Sequence, residues 1–437
     1  MRSKFGVSLV VSALALGACD WFGGPEKTPL GGERIAVIAQ SHSVEPDSRL
    51  ADVPVRLPEP VANDAWAQAG GTPTHAMQHL AAEGFNIAWR ADVGSGVSRD
   101  GRITAAPVVA AGKIFAVDAG VQVSAFDAAG GGTLWRFDVR PTGDGSGGAG
   151  GGVAFDNGRL YVGSGFAQVI ALEAETGTEI WRTTLTAPVR GAPTVGGGRV
   201  FAITADNQTH SLDADTGRKV WAHAGISESA GIYGGSSPAL FQNAVLAAYS
   251  SGELFALRAD NGRVLWAESL AGALRSDAVS SLADIRGFPV IDRGVVYAAS
   301  HSGRVAAIDL RSGGRIWEQD FGSLYTPWVA GDFMFITTVE NEVVAVTRRD
   351  GRVRWVQKLP VWRDTTLKRG RIVWTGPVLV GGRLFLASSE GEALVVTAAT
   401  GEIESRFGIA GSVTAAPIVA NSTIYVLTDS ATLIALR

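Results

Sequence analysis

Short runs of alternating apolar and polar residues recur along most of the chain, separated by glycine-rich or Asn/Asp turns. Residues 193–221 (PTVGGGRVFAITADNQTHSLDADTGRKVW) show the pattern: three alternating runs precede a Thr-Gly turn and a fourth run that begins at Trp221. A period of two residues is typical of antiparallel strands with one buried face. Four such strands in about 40–50 residues predict one blade of a β-propeller.

A constant spacing shows that this unit repeats. In five units a proline precedes a tryptophan by the spacing that separates Pro107 from Trp135, and a glycine stands four residues before the tryptophan. The further pairs are Pro193 and Trp221, Pro238 and Trp266, Pro289 and Trp317, and Pro327 and Trp355. Two more units keep the spacing with one end replaced, namely Val153 with Trp181 and Pro377 with Ser405.

The two ends of the chain together supply an eighth blade. An eighth unit begins at Pro417 and stops at Arg437, before its tryptophan position, whereas Trp89 precedes the first full unit without a partner. We therefore predict an all-β, eight-bladed β-propeller of four-stranded antiparallel blades, in which the N-terminal strand at Trp89 closes the last blade and removes the open edges. Gly84 stands one place off the usual spacing, which predicts a slightly irregular junction. We expect the tryptophans to pack between adjacent blades.

The first nineteen residues are typical of a bacterial lipoprotein signal. Arg2 and Lys4 precede an apolar stretch, residues 5–18, that is too short to span a bilayer. The stretch ends in Leu-Gly-Ala before Cys19, which resembles a lipobox. We predict that residues 1–18 are a signal peptide and that Cys19 is acylated. The alternative is an ordinary secretory signal with an unrelated cysteine.

Location and domain boundaries follow from this signal. The favoured location is the periplasmic side of the outer membrane, held there by the lipid anchor. Asp20 resembles the inner-membrane retention signal of enteric bacteria, so that location stays open. Residues 19–64 are rich in proline, glycine and charge and predict a tether, with a possible edge strand at residues 35–38. Residues 65–437 form the predicted propeller.

Composition narrows the classes of partner and chemistry. The chain has 38 basic and 42 acidic residues, a formal net charge of −4, and no long basic run, which argues against nucleic acid as a partner. Its single cysteine allows no intramolecular disulfide. The six histidines are scattered, and His75 and His79 lack any accompanying metal motif. We expect no metal, no cofactor, no catalytic residue and a monomeric propeller.

The links between blades vary in length while the repeat bodies do not. The longest links are residues 136–152, 222–237, 267–288 and 356–376. Loops on a rigid scaffold are where binding usually resides, so we predict the binding surface there. The glycine-rich run at 143–152 lacks the Lys-Ser/Thr of a phosphate-binding loop. The Arg- and Lys-rich stretch 363–371 is either a solvated loop or a contact for an acidic partner.

The repeat also resembles a known superfamily. The motif ALxAxTGxxxW, present from Ala171 to Trp181, is similar to the repeat of pyrroloquinoline-quinone (PQQ) dehydrogenases and their non-enzymatic relatives. Within that superfamily, the lipoprotein start, the single propeller and the length resemble the BamB family, the lipoprotein subunits of the outer-membrane β-barrel assembly machine. Ala88-Trp89 followed by Val-Gly-Ser-Gly at 93–96 resembles the entry strand of that family.

The resemblance implies a partner and a set of contact residues. BamB proteins contact the periplasmic domains of the barrel subunit BamA through two adjacent inter-blade loops, with the patterns Leu-x-Leu-Arg-Gly and Asp-x-Asp. The corresponding residues here are Ala230-Gly231-Ile232-Tyr233-Gly234 and Asp284-Ile285-Arg286. The implied partner-binding residues are Ala230, Ile232, Tyr233, Asp284 and Arg286, and two of them, Tyr233 and Arg286, depart from the family pattern in charge.

The function that agrees best with these features is a non-catalytic scaffold in outer-membrane protein assembly. A PQQ-dependent dehydrogenase is the enzymatic alternative, but such enzymes carry an adjacent cysteine pair, and Cys19 is the sole cysteine here. A third hypothesis is a propeller with another envelope role, such as binding a small ligand or peptidoglycan.

Overall fold

A computed structural model describes residues 44–99, 101–141, 150–228, 231–272 and 282–437. The predicted signal peptide, Cys19 and the possible edge strand at 35–38 lie outside these residues, as does Ala230. The described chain begins with a short 3-10 helix, Ser48–Leu50, followed by an irregular segment that leads to the first strand.

Thirty-two strands form eight four-stranded antiparallel sheets, which confirms the predicted eight-bladed propeller. We label the strands of each blade A to D from the axis outward. Blade 1 is β2 (Val108–Ala110), β3 (Lys113–Val117), β4 (Gln122–Asp127) and β5 (Thr133–Asp138); blade 2 is β6 (Gly151–Asp156), β7 (Arg159–Ser164), β8 (Gln168–Glu173) and β9 (Glu179–Thr184); blade 3 is β10 (Thr194–Gly196), β11 (Arg199–Ile203), β12 (Gln208–Asp213) and β13 (Lys219–Ala224); blade 4 is β14 (Ala239–Phe241), β15 (Ala244–Ala248), β16 (Glu253–Arg258) and β17 (Val264–Ser269).

The remaining blades follow the same order. Blade 5 is β18 (Val290–Asp292), β19 (Val295–Ser300), β20 (Arg304–Asp309) and β21 (Arg315–Gln319); blade 6 is β22 (Trp328–Ala330), β23 (Phe333–Thr337), β24 (Glu342–Thr347) and β25 (Val353–Lys358); blade 7 is β28 (Trp374–Val380), β29 (Arg383–Ser388), β30 (Glu392–Thr397) and β31 (Ile403–Gly408). Between blades 6 and 7 a separate hairpin is formed by β26 (Trp362–Asp364) and β27 (Arg369–Arg371).

The eighth blade closes the ring as the sequence predicts. Its strands A to C are β32 (Ile418–Ala420), β33 (Thr423–Leu427) and β34 (Thr432–Leu436), and strand D is the N-terminal β1 (Ile87–Asp92). The first strand pairs antiparallel with the last, from Ile87 opposite Leu436 to Asp92 opposite Thr432. First and last strands thus occupy one sheet, which leaves no open gap in the ring.

The tryptophans pack between adjacent blades. Each C–D strand pair has a bulge just before the tryptophan position, and the indole then lies against the Thr-Gly-type turn of the following blade. A Cβ built on Gly217 would lie 2.6 Å from the Trp181 ring, so only glycine fits there. Six indole Nε1 atoms donate to a backbone carbonyl of the next blade at 2.8–3.1 Å: those of Trp135, Trp181, Trp221, Trp266, Trp317 and Trp355.

The closing junction departs from this arrangement, as Gly84 suggests. Ser405 replaces the indole of blade 7, and Phe85 instead stacks on Phe385 with ring centroids 5.8 Å apart, next to Phe407. A phenylalanine cluster therefore fills the space between blades 7 and 8. Trp89 keeps its packing place, but its buried Nε1 has no partner among the described residues.

The segment before β1 is an element that the sequence does not predict. Residues 61–80, the axial plug, run around the propeller axis and bond to every blade in turn. The bonds join Asn63 to Val419 of blade 8, Trp66 to Val109 of blade 1, Ala67 to Phe155 of blade 2, Gln68 to Val195 of blade 3, Pro73 to Leu240 of blade 4, Thr74 to Ile291 of blade 5, Gln78 to Trp328 of blade 6 and Leu80 to Leu379 of blade 7. The plug closes one end of the axial channel.

Part of the predicted tether packs on the propeller instead of extending away from it. Residues 44–64, which the composition assigns to the tether, lie against the propeller: Asp47 N–H donates to the Val353 carbonyl, and the Arg354 guanidinium donates to the Val53 carbonyl. Leu50 is buried, and Val55 and Leu57 pack on the core of blades 6 and 7. These scattered apolar residues anchor a segment whose overall composition is that of a linker.

Candidate partner-binding face

The antiparallel blades give the ring two distinct faces. The links between blades and the B–C turns lie on one side, which we call the link face, and the A–B and C–D turns lie on the other, the turn face. Contacts agree with this division, since Ala205 in a B–C turn donates to the carbonyl of Pro188 in a link. The axial plug contacts the ends of the A strands next to the A–B turns, so it closes the channel at the turn face.

Two of the long links that the sequence singles out meet on the link face. The Asp284 carboxylate accepts a hydrogen bond from the Ile232 N–H at 2.9 Å and pairs with the Arg190 guanidinium at 2.8 Å. The same guanidinium nitrogen donates to the Ile232 carbonyl at 3.0 Å. We call these three residues the Asp284 clamp. The clamp joins the links that precede blades 3, 4 and 5.

The clamp is buried, which makes it intolerant of single changes. The side chains of Arg190 and Asp284 are 11% and 1% exposed. A hydrogen bond that involves a charged group is worth more than a neutral one, and removing one member of a buried ion pair leaves the other charge without compensation. The clamp therefore holds the backbone of Ile232 in one position relative to the neighbouring blades.

Tyr233 is presented to solvent next to this fixed point. Its side chain is 57% exposed, whereas its carbonyl accepts a hydrogen bond from the Arg286 Nε at 3.0 Å. Gly234, with a φ of +84°, turns the chain directly beneath the Arg286 guanidinium. Ile226, earlier in the same link, is also exposed. An open cleft of about 300 Å³ borders the Tyr233 side chain and is also lined by Pro188 and Arg190.

The predicted contact residues therefore have different roles. Tyr233 is exposed, and Ile232 and Arg286 are half-buried. Asp284 is fully buried, so it cannot touch a partner in this conformation and instead positions the Ile232 backbone. The sequence predicts Asp284 as a contact residue, whereas in the structure it is a positioning residue. Its ion-pair partner Arg190 was missed, because the two residues are 94 positions apart and belong to different blades.

A cavity on the propeller axis opens beside this surface. It has a volume of about 120 Å³ and is lined by Trp66 and His75 of the plug, by Phe288, and by Trp328, whose ring stacks with Trp66 at 6.2 Å between centroids. Burial lowers the pKa of His75 to about 4, so the imidazole is neutral near pH 7. Its Nδ1 lies 2.8 Å from the Pro289 carbonyl and donates to it. Within the described ranges, no three His, Cys, Asp or Glu side chains are grouped to hold a metal ion.

The closed ring, the indole packing and the ALxAxTGxxxW repeat define the class of protein, an eight-bladed propeller of the PQQ-like superfamily. A family model described as outer membrane protein assembly factor BamB matches residues 60–142 and 119–357, and the chain belongs to that family. A second model, the propeller domain of glucose, ethanol and alcohol dehydrogenases, matches residues 321–436.

Individual relatives agree with this assignment. The BamB protein of Legionella pneumophila (strain Paris) is 31% identical over 195 residues, which cover 45% of this chain and about half, 48%, of the relative. The BamB protein of Shewanella oneidensis is 26% identical over 348 residues, covering 78% of this chain and 86% of the relative.

Solved structures show the same fold at lower identity. The crystal structure of BamB from Moraxella catarrhalis is 23% identical with a TM-score of 0.68, and the match covers 81% of this chain and 99% of that one. The quinohemoprotein alcohol dehydrogenase of Comamonas testosteroni is 16% identical with a TM-score of 0.62, over 83% of this chain and 76% of that one. In the part of the chain that the structure covers, no helix has the length and apolar character needed to cross a membrane.

Proposed function

We propose that the protein is a non-catalytic scaffold in outer-membrane β-barrel protein assembly and that its link face binds the periplasmic domains of a BamA-type barrel subunit. Membership of the BamB family supports the process, and the matched relatives are named as assembly factors. The lipid on Cys19 would hold the propeller at the outer membrane, on its periplasmic side. The scaffold would work without a bound cofactor.

The observation that carries the proposal is the fixed presentation of Tyr233. The Asp284 clamp immobilises the residue before it, Arg286 holds its carbonyl, and the aromatic ring remains exposed. A rigid exposed aromatic ring supplies contact area with little loss of conformational entropy on binding. Tyrosine and arginine are also enriched among the residues that dominate interface energies.

The test is the affinity of the purified protein for the purified periplasmic domains of the barrel subunit from the same bacterium. We expect Tyr233→Ala to weaken binding by about 2 kcal/mol, or roughly 30-fold, as for a central aromatic contact. Phe241→Ala is the matched control, because Phe241 is an exposed aromatic residue of blade 4 on the turn face. Equal affinities of the wild type and Tyr233→Ala would contradict the proposed contact.

Location has a separate test. We expect the wild-type protein to incorporate labelled palmitate and to fractionate with the outer membrane, and we expect Cys19→Ala to do neither. Recovery of the acylated wild type in the inner membrane would instead assign the retention role to Asp20.

A second candidate, the binding of a small ligand, is favoured by the aromatic lining of the axial cavity. Titration of the purified protein with pyrroloquinoline quinone, followed by tryptophan fluorescence, tests this directly because Trp66 and Trp328 line the cavity. Saturable quenching that Trp66→Phe alters would support it, and its absence would exclude pyrroloquinoline quinone as the ligand of this cavity.

A further inference from the structure

The link between blades 6 and 7, residues 359–373, carries a concentrated positive charge. We call it the basic hairpin. Its strands pair with Trp362 opposite Arg371 and Asp364 opposite Arg369. Between residues 362 and 371 there are four basic side chains and one acidic one, a local charge of +3 in a chain whose formal charge is −4. The basic side chains are those of Arg363, Lys368, Arg369 and Arg371.

The base of the hairpin is fixed to the propeller. The Trp374 indole donates to the Pro360 carbonyl at 2.8 Å, and the Asn341 side chain donates to the Ile372 carbonyl at 2.8 Å. The N–H of Ile372 closes the base by donating to the Val361 carbonyl. Ile372 and Trp374 are buried. The hairpin therefore projects from the ring as a defined element, and its backbone needs little further ordering before it binds a partner.

The charge at its tip is not neutralised from within. The Asp364 carboxylate is occupied by the turn, accepting from the N–H groups of Thr366 and Leu367 at 3.0 and 2.9 Å. Arg363 pairs with Glu390 at 3.3 Å. Lys368 and Arg369 are exposed, and neither has a carboxylate partner in the described part of the chain.

The tip also carries an apolar side chain. Leu367 is 61% exposed and directly precedes the two free bases. Behind the tip, the Arg371 guanidinium lies over the Trp362 ring at 6.0 Å, so its flat face is held by a cation–π contact. An exposed leucine beside free cations suits a surface that offers both an apolar patch and carboxylates.

The hairpin is continuous with the surface around Tyr233. The link between blades 5 and 6 separates the hairpin from the Asp284 clamp and touches both sides. The Arg371 guanidinium donates to the Val339 carbonyl at 2.6 Å, and the Val339 N–H donates to the Gly322 carbonyl in that link. On the other side, the Phe288 N–H, two residues after Arg286, donates to Thr326 Oγ1 in the same link at 3.0 Å. Arg286 in turn holds the Tyr233 carbonyl. Neighbouring links therefore connect Arg286 and the basic hairpin on the link face.

We propose that the basic hairpin is a second contact for the same periplasmic partner and that it binds a carboxylate-rich segment of that partner. The inference rests on the proposed function, because it extends the surface that begins at Tyr233. Free cations on a pre-formed element accelerate association and fix the orientation of an oppositely charged partner. Leu367 packs on the partner's apolar patch, while Lys368 and Arg369 face its carboxylates.

A protein partner fits the hairpin better than an anionic membrane does. The N-terminal end of the described chain lies on the turn face, where the Asp47 N–H donates to the Val353 carbonyl next to a C–D turn. The hairpin lies on the opposite face of the ring. The hairpin shares the link face with Tyr233, so a protein bound at Tyr233 can reach both elements.

The test uses the charge reversal Lys368→Glu with Arg369→Glu in the full chain. The matched control is Arg218→Glu with Lys219→Glu, since these two bases are also adjacent and exposed but stand at a C–D turn of blade 3 on the turn face. The probe is the purified periplasmic region of the barrel subunit. We expect the hairpin variant to bind about tenfold more weakly near 50 mM salt and nearly as well as the wild type near 500 mM salt, because salt screens exposed charges. The control should bind as the wild type does.

Three outcomes would overturn the proposal. If the hairpin variant binds like the wild type at low salt while Tyr233→Ala binds weakly, the hairpin is not a contact and the proposed function stands. If the wild-type protein does not bind the probe, the proposed function and the hairpin contact fail together. If the charge reversal instead abolishes binding to phosphatidylglycerol vesicles and spares the protein probe, the hairpin is a membrane contact.

Discussion

Replacing Asp284 with alanine removes the acceptor that holds both the Arg190 guanidinium and the Ile232 N–H. The guanidinium keeps only the Ile232 carbonyl at this end and remains nine-tenths buried. Breaking a buried ion pair from one side costs about 3–5 kcal/mol. Because the link can open and hydrate the freed charge, we expect the lower end of this range, about 3 kcal/mol.

This loss converts into a modest shift of the melting temperature. The compact unit Ser43–Arg437 has 395 residues, and an unfolding entropy of about 2.1 cal/mol/K per residue gives about 0.8 kcal/mol/K for the whole unit. A loss of about 3 kcal/mol then lowers the melting temperature by about 4 °C. Scanning calorimetry measures this shift, and hydrogen exchange of the Ile232 amide reports the clamp itself.

The control is the double variant Arg190→Leu with Asp284→Ala. It removes both charges, so we expect it to recover at least half of the stability that Asp284→Ala loses. Unchanged exchange at the Ile232 amide in Asp284→Ala, or a double variant that loses the sum of the two single effects, would refute the role given to the clamp.

Three further predictions test the packing of the ring and plug. Gly217→Ala places a Cβ 2.6 Å from an indole, whereas Gly198 has the same left-handed backbone but open space around it. Gly217→Ala should therefore lower the free energy of unfolding by at least about 2 kcal/mol more than Gly198→Ala does, and urea denaturation of both variants measures this difference. Trp317→Phe loses an indole hydrogen bond that Trp89 does not make, so it should cost about 1 kcal/mol more than Trp89→Phe, and equal losses would contradict the assigned bonding. Burial lowers the pKa of His75 from 6.5 to about 4, so between these pH values the unfolded chain binds a proton that the folded protein does not. The free energy of unfolding should therefore fall by about 3 kcal/mol from pH 7 to pH 4 through this residue. Denaturation curves of His75→Gln should lack that part of the pH dependence.

The repeat made most of the fold predictable from the sequence. The fixed distance from each proline to its tryptophan gave the blade boundaries, and the unmatched Trp89 gave the closure with β34. The alternation within each unit follows directly from the buried and exposed faces of its strands. These features are periodic and local, which is why the sequence reveals them.

The axial plug and the Asp284 clamp lack such periodicity. The plug bonds each blade through one or two groups, such as the Gln68 amide on Val195, and no repeated residue marks these contacts. The clamp joins Arg190 to Asp284 across blades, and only the folded ring brings them together. The link containing Tyr233 could be located from its length, whereas the burial of Asp284 depends on that tertiary pairing.

The central claim is that the link face binds the barrel-assembly machine. The most direct measurement is affinity purification of the tagged protein from detergent-solubilised envelopes, followed by mass spectrometry, for the wild type and Tyr233→Ala. The account predicts that the barrel subunit and its companions are recovered with the wild type and strongly depleted with Tyr233→Ala. Recovery of other envelope proteins without any barrel-assembly subunit would contradict it.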